Sequence, residues 1–250
     1  MIQRISNAWR RRAIQRFARR DYRLDGQAAY VSFTFDDFPL SALTEGGRIL
    51  LDHGARGTYF VSFQLLGSQS VSGRIASPSD LDALVSDGHE LGCHTFAHLD
   101  GSKVSAADFE RSIEENRLAL AASAIDAQFQ TFAYPLSGPA VGTKRVAGAN
   151  FLACRGGGQS FNHDVVDLNL LNAYFLDHRS GENVTEVRKL IEATVAAKGW
   201  LIFATHDVAE SPSPYGCNPR YFKEIVRLSV AAGAKVLPMT DVCRELGIVN

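Results

Sequence analysis

The sequence lacks a run of 18 uninterrupted apolar residues, an apolar segment behind its N-terminal charges, and any CxxC pair. A membrane-crossing helix needs about 20 predominantly apolar residues, and a secretory signal peptide needs an apolar stretch after its basic start. We therefore expect a cytoplasmic protein. Cysteines are few and scattered, and in a reducing compartment we expect them to be free thiols. They are Cys93, Cys154, Cys217 and Cys243.

The composition that remains is ordinary for a globular protein. Hydrophobic residues make up 46% and charged residues 21% of the 250 residues. A chain of this length can bury a full core and is typical of one α/β barrel. Neither an internal repeat nor a linker divides it, so we predict a single domain over residues 26–250.

Charge is unevenly distributed along the chain. Residues 1–25 hold eight arginines against two aspartates, which gives +6 there and −7 elsewhere for the net charge of −1. Ile5, Trp9, Ala13 and Phe17 recur at helical spacing, so this segment is predicted to be a basic amphipathic helix outside the core.

Two roles are open for this N-terminal helix. It can pack on the domain or on a partner subunit, or residues 1–20 can attach to the anionic inner face of a membrane. Basic residues interleaved with aromatic ones, typical of a nucleic-acid groove, do not accompany it, so we predict no nucleic-acid partner. The oligomeric state is not fixed by any of these features.

Strands alternate with helices through the rest of the chain. The first strand is predicted at residues 29–35, where a run of β-branched and aromatic residues ends in two carboxylates. Further strands are predicted near 57–62, 89–93, 129–133, 150–154, 170–176, 200–204 and 235–238. Seven or eight such units predict an α/β fold, a parallel sheet closed into a TIM-barrel-like barrel.

Polar side chains follow the predicted strands at the point where each strand ends. Because α/β barrels place their sites at the C-terminal ends of the strands, we expect these side chains to meet there. They are Asp36 and Asp37, His94 and His98, Tyr134 and Pro135, Arg155, and the run Thr205-His206-Asp207.

His94 and His98 are spaced for a metal. Residues four apart on a helical turn share a face, so both rings can reach one cation. A strand-end carboxylate as third ligand would give the set that suits catalytic Zn²⁺, and Fe²⁺, Co²⁺ or Ni²⁺ would fit the same donors. The histidine pair alone is equally compatible with two hydrogen-bonded or exposed side chains.

The adjacent aspartates can divide the labour in such a site. One carboxylate binds the cation, and its neighbour acts as base toward a water that the cation acidifies. His206, at another strand end, can protonate the leaving group, and the backbone N–H after Pro135 can stabilise an oxyanion. Together these parts describe metal-assisted hydrolysis of an acyl bond.

The same residues carry a family resemblance. T-F-D-D (34–37), H-T-x-x-H (94–98), F-A-Y-P (132–135) and the late His206 resemble the polysaccharide deacetylases of carbohydrate esterase family four, the NodB-homology group. The similarity spans roughly residues 29–243. It implies a distorted (β/α) barrel, often with seven strands, that removes N-acetyl groups from an amino-sugar polysaccharide, oligosaccharide or glycan precursor.

The resemblance also assigns roles to individual positions. It implies that the base is Asp36, the metal ligands are Asp37, His94 and His98, the oxyanion N–H belongs to Leu136, and the general acid is His206. We add Tyr134, Pro135 and Tyr215 as predicted substrate contacts, since Tyr215 lies in a proline-rich loop directly after His206 and can stack on a sugar ring.

Three departures from the family pattern bear on the substrate. Phe38 stands where a glycine is usual, and the expected Asp-Trp pair of a fourth motif is absent. Ala133 stands where an arginine is frequent. Arg155 can supply the missing positive partner of Asp36, or it can bind a loop carbonyl.

Other readings remain open at this stage. The loop from Ser160 to Asp164 can contact substrate or be an ordinary polar loop. A small-molecule amidase on the same scaffold is one alternative function, since a fold does not fix its substrate. A catalytically silent barrel that binds a glycan or a partner is the other, although such a module has no need for all five residues of the set at 36, 37, 94, 98 and 206.

Overall fold

The computed structural model of the protein describes residues 10, 12–26, 28–123, 125–136 and 138–249. Twelve strands are defined in chain order: β1 Asp21–Leu24, β2 Tyr30–Phe35, β3 Thr58–Val61, β4 Gln69–Ser70, β5 Gly73–Arg74, β6 Glu90–Cys93, β7 Thr131–Ala133, β8 Ala153–Arg155, β9 Asp164–Asp167, β10 Tyr174–Phe175, β11 Trp200–Thr205 and β12 Lys235–Val236. The α-helices are α1 Arg48–Asp52, α2 Pro78–Ser86, α3 Ala106–Ala122, α4 Val141–Asn150, α5 Val184–Ala196, α6 Pro219–Ala231 and α7 Met239–Glu245. A π-helical turn, Ala42–Gly47, leads into α1, and a short 3₁₀ turn spans Phe63–Leu65.

One parallel sheet forms the body of the molecule. Its strands follow the order β10-β11-β2-β3-β6-β7-β8, and β12 pairs with the first residues of β2. The sheet curls until its edges approach each other, where Arg155 and Leu171 form an isolated bridge. Within the described residues no continuous ladder joins β8 to β10. The predicted α/β barrel-like fold of seven or eight parallel strands is confirmed, as a curled half-barrel.

Strand β2 lies at the centre of this sheet and is buried on both faces. Phe33 and Phe35 point toward the helical layer, where both rings contact Phe222 of α6. The alternate residues face the opposite way: Ser32 accepts a hydrogen bond from the Trp200 indole at 3.0 Å, and the Thr34 hydroxyl donates to the carbonyl of Phe203 at 2.8 Å. Burial of both faces explains why the strand is an almost continuous apolar run.

The N-terminal segment differs from the predicted helix over residues 1–25. Residues 1–9 and 11 lie outside the described part of the chain, and residues 12–16 are helical. Residues 21–24 form β1, which pairs antiparallel with β9, so the helix prediction is wrong there. The strand β9 is not among those predicted from the sequence. Membrane attachment through residues 1–20 stays a prediction.

A buried ion pair explains the docking of this segment. The Lys144 ammonium is fully buried and donates to Asp167 at 2.6 Å, to the carbonyl of Phe17 at 3.0 Å and to that of Ile14. Asp167 also accepts the backbone N–H of Arg20 at 3.0 Å. Breaking such a buried pair costs about 3–5 kcal/mol, which is more than the helix propensity of a few residues can supply.

Two further expectations concern cysteines and membranes. All four cysteines are free and buried, and burial raises the pKa of the Cys93 thiol to about 11 and that of Cys154 to about 12. Among the described helices, none has the length and apolar character needed to cross a bilayer.

Candidate active site

Three side chains converge at the C-terminal edge of the sheet. Asp37 follows β2, and His94 and His98 follow β6. His98 Nε2 lies 3.1 Å and His94 Nε2 3.6 Å from Asp37 Oδ1, and one ligand atom from each residue lies within 4.8 Å of the others. The structure therefore brings together the three residues predicted as metal ligands.

His94 is fixed in the tautomer that a metal ligand needs. Its Nδ1 lies 2.8 Å from the carbonyl oxygen of Ala133, which can only accept, so Nδ1 carries the proton and Nε2 keeps its lone pair toward Asp37. Burial lowers the pKa of His94 to about 4, which keeps the ring neutral at physiological pH.

The donor set fits a divalent cation. Asp37 Oδ1 is buried and accepts no hydrogen bond, although two imidazole nitrogens face it. Burial acts to raise the pKa of Asp37, but His98, His94 and His206 together hold it below its ordinary value, so the carboxylate is ionised. Two imidazoles and one carboxylate are the ligands of many catalytic zinc sites.

The loops that carry the site are strained. Asp37, Phe38, Thr95, His98 and Leu136 all have φ between 51° and 60°, a left-handed conformation that non-glycine residues seldom adopt. Such conformations cost about 1–3 kcal/mol each and concentrate at functional sites. Phe38, which replaces the usual glycine, is fully buried with its ring 5.0 Å from that of Tyr59, so its side chain points into the core.

Asp36 lies outside the ligand cluster and pairs with Arg155. The Arg155 guanidinium is buried, contacts Asp36 Oδ1 through Nη2, and donates from Nη1 to the carbonyl of Gly156 at 3.2 Å. Both roles considered for Arg155 are thus present in one side chain. Burial lowers the pKa of Arg155, and the Asp36 carboxylate opposes that shift.

His206 and Leu136 complete the set from two other strand ends. His206 Nε2 lies 3.9 Å from Asp37 Oδ2, and its ring centroid is 5.4 Å from that of Tyr215. The Leu136 N–H donates to no acceptor within the described chain, and the residue lines the cavity. Asp207 does not contact the His206 ring; it accepts both the N–H and the hydroxyl of Ser213 and thereby shapes the loop that follows.

A cavity of about 580 Å³ surrounds these groups. Exposed apolar side chains stand at its rim: Val71, Leu136 and Tyr215 are 70%, 68% and 44% exposed. Tyr134 lines the cavity, but its hydroxyl donates to the carbonyl of Asn169 at 2.9 Å. Pro135 is buried and is not part of the cavity wall.

Sequence reasoning missed part of the cavity wall. The missed residues are Ser70 to Ser72 in the β4–β5 hairpin, Gly156 to Gly158, Phe175, His178 and Arg179. His178 and Arg179 directly follow a predicted strand, so the strand-end rule applied to that strand would have found them. The loop from Ser160 to Asp164 is not part of this wall; Asn162 to Asp164 line a second cavity beside Arg19.

An α/β half-barrel with an Asp-His-His cluster at the C-terminal edge of its strands defines a recognisable class of protein. Residues 24–150, just over half of the chain, match the family described as polysaccharide deacetylase. The chain belongs to this polysaccharide deacetylase family, the NodB-homology group of carbohydrate esterase family four.

Individual relatives are more distant. A chitin deacetylase from Colletotrichum lindemuthianum is 30% identical over 82 residues, which span 33% of this chain and only 32% of that protein. Its structure covers 89% of this chain and 89% of its own at 20% identity, with a TM-score of 0.59.

Two other solved structures share the fold. A family 4 acetyl xylan esterase from Clostridium thermocellum in complex with a cobalt ion is 16% identical, covers 88% of this chain and 93% of its own, and has a TM-score of 0.59. A family 4 pseudoenzyme from Bacillus anthracis is 12% identical over 86% of this chain and 65% of its own, with a TM-score of 0.57. At these identities the likeness concerns the fold alone.

Proposed function

We propose that the protein is a metal-dependent hydrolase that removes N-acetyl groups from an amino-sugar-containing glycan or glycan precursor. The observation that carries this proposal is the convergence of two separate sets at one sheet edge. Asp37, His94 and His98 form one cluster, while Asp36 lies outside it in the same cavity and is held by Arg155. A site built only for metal storage has no use for the second carboxylate.

The cation would be held by Asp37, His94 and His98. A divalent cation such as Zn²⁺ supplies Lewis acidity there, since it polarises an acyl carbonyl and lowers the pKa of water. Asp36 is placed to accept the proton of the attacking water, and Arg155 fixes the direction of its carboxylate.

The remaining groups serve the acyl carbon and the leaving nitrogen. The unpaired Leu136 N–H offers a hydrogen bond to the oxygen that becomes negative when water adds to the carbonyl. His206 can deliver a proton to the departing nitrogen as the carbon–nitrogen bond breaks. The products are acetate and a free amino group, so that atoms and charges balance.

The rim of the cavity suits a sugar. Tyr215 is 44% exposed beside His206 and presents an aromatic face on which a pyranose ring can stack. Val71 and Leu136 add exposed apolar surface at the same cavity. This supports a glycan substrate with one ring at the cation and others along the rim.

The test begins with the metal content of the purified protein, measured by elemental mass spectrometry without added metal. We expect about one equivalent of a transition metal, and acetate release from N-acetylated oligosaccharides. Asp36→Asn keeps the metal and loses turnover about 10²–10⁴-fold, as removal of a general base does. Arg48→Gln, a change at an exposed ion pair on α1, is the matched control.

Other outcomes would replace the proposal. Ammonia or free amine released from small amides, with no acetate from oligosaccharides, identifies an amidase on the same scaffold. Full turnover by Asp36→Asn refutes the assignment of the base. A protein that takes up no metal on titration is a silent glycan-binding barrel.

A further inference from the structure

Arg179 introduces a positive charge into the cavity wall that the chemistry above does not use. It follows β10 and lines the same cavity as Asp36 and Asp37. Its Nε and Nη2 both bind Asp177, with Nε to Oδ2 at 2.8 Å. Asp177 is fully buried, whereas the Arg179 side chain is 45% exposed. Nη1 donates to no acceptor within the described chain, so one edge of the guanidinium remains available.

The guanidinium is held rigidly in this position. Its Cζ lies 4.1 Å from the centre of the Phe175 ring, and its own backbone N–H donates to Asp177 Oδ1 at 2.8 Å. The next turn is closed by the Ser180 hydroxyl, which donates to the carbonyl of Asp177 at 2.8 Å, and the His178 N–H donates to Pro214 at 3.3 Å. A side chain already ordered in the free protein loses little entropy when it binds a ligand.

Phe175 also connects this arginine to the reacting centre. The ring centroid lies 5.8 Å from Cζ of Arg155, the arginine that holds Asp36. The Phe175 ring therefore contacts both Arg179 and Arg155, and Arg155 holds the proposed base. Arg179 and the metal cluster line one cavity, so a glycan bound there can contact both.

Unpaired backbone donors lie in the same wall. The N–H groups of Gly157 and Gly158 donate to no acceptor within the described chain. Gly158 has φ of +136°, and a Cβ there would come within 2.5 Å of Asn172 Oδ1, so only glycine fits. Without side chains, this stretch leaves its amides open to a bound group.

We propose that Arg179, with the amides of Gly157 and Gly158, forms a subsite for an anionic group, a carboxylate or a phosphate, on the substrate beside the acetylated sugar. The substrate class is then an acidic glycan. This inference rests on the proposed deacetylase function and adds the charge of its substrate. Arg179 can offer Nη1 to an oxygen of such a group while Nε and Nη2 stay on Asp177, and a hydrogen bond from a guanidinium to an anion is charge-assisted.

The kinetic test compares substrates of equal length. We would measure acetate release from a neutral N-acetylchitotetraose, from a tetrasaccharide that alternates uronic acid with N-acetylglucosamine, and from a phosphorylated N-acetylglucosamine oligosaccharide. Arg179→Gln is expected to raise KM for the acidic substrates about 10–100-fold, the range of a lost hydrogen bond to a charged group, with kcat within about twofold. KM for the neutral substrate stays unchanged. The carboxylate and phosphate arms show which anion is bound.

Two variants guard against simple unfolding. Arg179→Lys keeps the charge and is expected to recover part of the acidic preference, and that preference weakens as salt is raised. Arg188→Gln, an exposed arginine of α5 paired with Glu224, is the matched control and leaves all KM values unchanged. Equal losses on neutral and acidic substrates in Arg179→Gln would mean that Arg179 only supports Asp177, and would overturn the proposal.

A binding measurement separates this proposal from the proposed reaction. Titration calorimetry with the Asp36→Asn protein is expected to show about tenfold tighter binding of the acidic tetrasaccharide than of the neutral one, and the difference disappears with Arg179→Gln. Equal affinities refute the subsite. Preferential binding of acidic glycans without acetate release from any of them would refute the reaction and leave the subsite standing.

Discussion

Asp37 and Glu90 are carboxylates at opposite ends of the same sheet, and their surroundings differ completely. Asp37 follows the C-terminal end of β2, and its buried Oδ1 accepts no hydrogen bond. Glu90 begins β6 at the N-terminal end and is saturated with donors. It accepts hydroxyls from Thr58 at 2.7 Å, Thr131 at 2.5 Å and Thr240 at 2.5 Å, and also the N–H of Thr240 at 2.9 Å.

This difference distinguishes a buried carboxylate with a structural role from one at a functional site. Buried polar groups are normally paired, so an unpaired carboxylate oxygen in a strained loop is typical of a functional position. At Glu90, burial raises the pKa while the three threonines act against that shift, and the group fastens α7 to the bottom of the sheet. Whether a buried carboxylate in a parallel sheet indicates a functional site therefore depends on whether hydrogen-bond donors already satisfy it.

The largest effect is expected at the C-terminal end of the sheet, where Asp37 lies. His98→Ala removes one of three ligands, so metal binding should weaken by more than the 10–100-fold that changes outside the ligand shell typically cost, and turnover should fall to background. Elemental mass spectrometry and acetate release measure the two quantities. His178→Ala, a histidine of the same cavity outside the cluster, should keep its metal. If His98→Ala retains a full equivalent of metal, the ligand assignment is wrong.

The pair of Asp36 and Arg155 is expected to show the next largest effect, on stability. Arg155→Gln leaves a buried carboxylate without its partner, so the free energy of unfolding should fall by about 3–5 kcal/mol. In the double variant Asp36→Asn/Arg155→Gln most of this loss should return, because the uncompensated charge is gone. Chemical denaturation of the four proteins of this cycle measures it. Additive losses would show that the two side chains do not interact.

Glu90→Ala tests the N-terminal end of the sheet, where we expect a smaller effect. Four donors lose their acceptor, so we expect a loss of about 1–3 kcal/mol in unfolding free energy and an unchanged metal content. Glu90→Gln should recover most of the stability, since threonine hydroxyls can accept from an amide. The isosteric Asp37→Asn should not recover metal binding. Loss of metal in Glu90→Ala would contradict the distinction between a structural Glu90 and a metal-binding Asp37.

The smallest effect at neutral pH concerns His89, beside Glu90. Burial lowers the pKa of His89 to about 4 from its ordinary 6.5, and its Nδ1 accepts the N–H of Gly57 at 3.0 Å. The neutral ring therefore contributes stability that is fully present above pH 6.5 and is lost as the pH falls toward 4.

His89→Asn keeps an acceptor for Gly57 but does not titrate. The unfolding midpoint of the natural protein should fall more steeply between pH 6.5 and 4 than that of the variant. Groups common to both proteins, including His94, cancel in the difference. Parallel curves would show that His89 does not carry this dependence.

Much of the site was predictable because it follows strand ends. Asp37, His94 and His98 are marked by apolar runs that stop at polar residues, and a parallel sheet brings such ends together. The fold class follows from the same alternation of strands and helices.

The rest depends on contacts between distant segments that no local pattern encodes. β1 pairs with β9 across more than half of the chain, and Asp167 of β9 pairs with the buried Lys144 of α4. Likewise, Arg155 had two equally plausible partners in sequence, and only the curling of β8 toward β2 brings it to Asp36. Arg179 stands out only once the cavity is known.

The strand order also has a consequence for synthesis on the ribosome. β2 is the first strand of the main sheet to be made, yet its full-length neighbour is β11, about 170 residues later. At about 5–20 residues synthesised per second, the two apolar faces of β2 remain without this partner strand for roughly 10–35 s. Asp36 and His206 can therefore meet only after β11 has been made. Nascent chains stalled before β11 should recruit chaperones, and no partial product can be active.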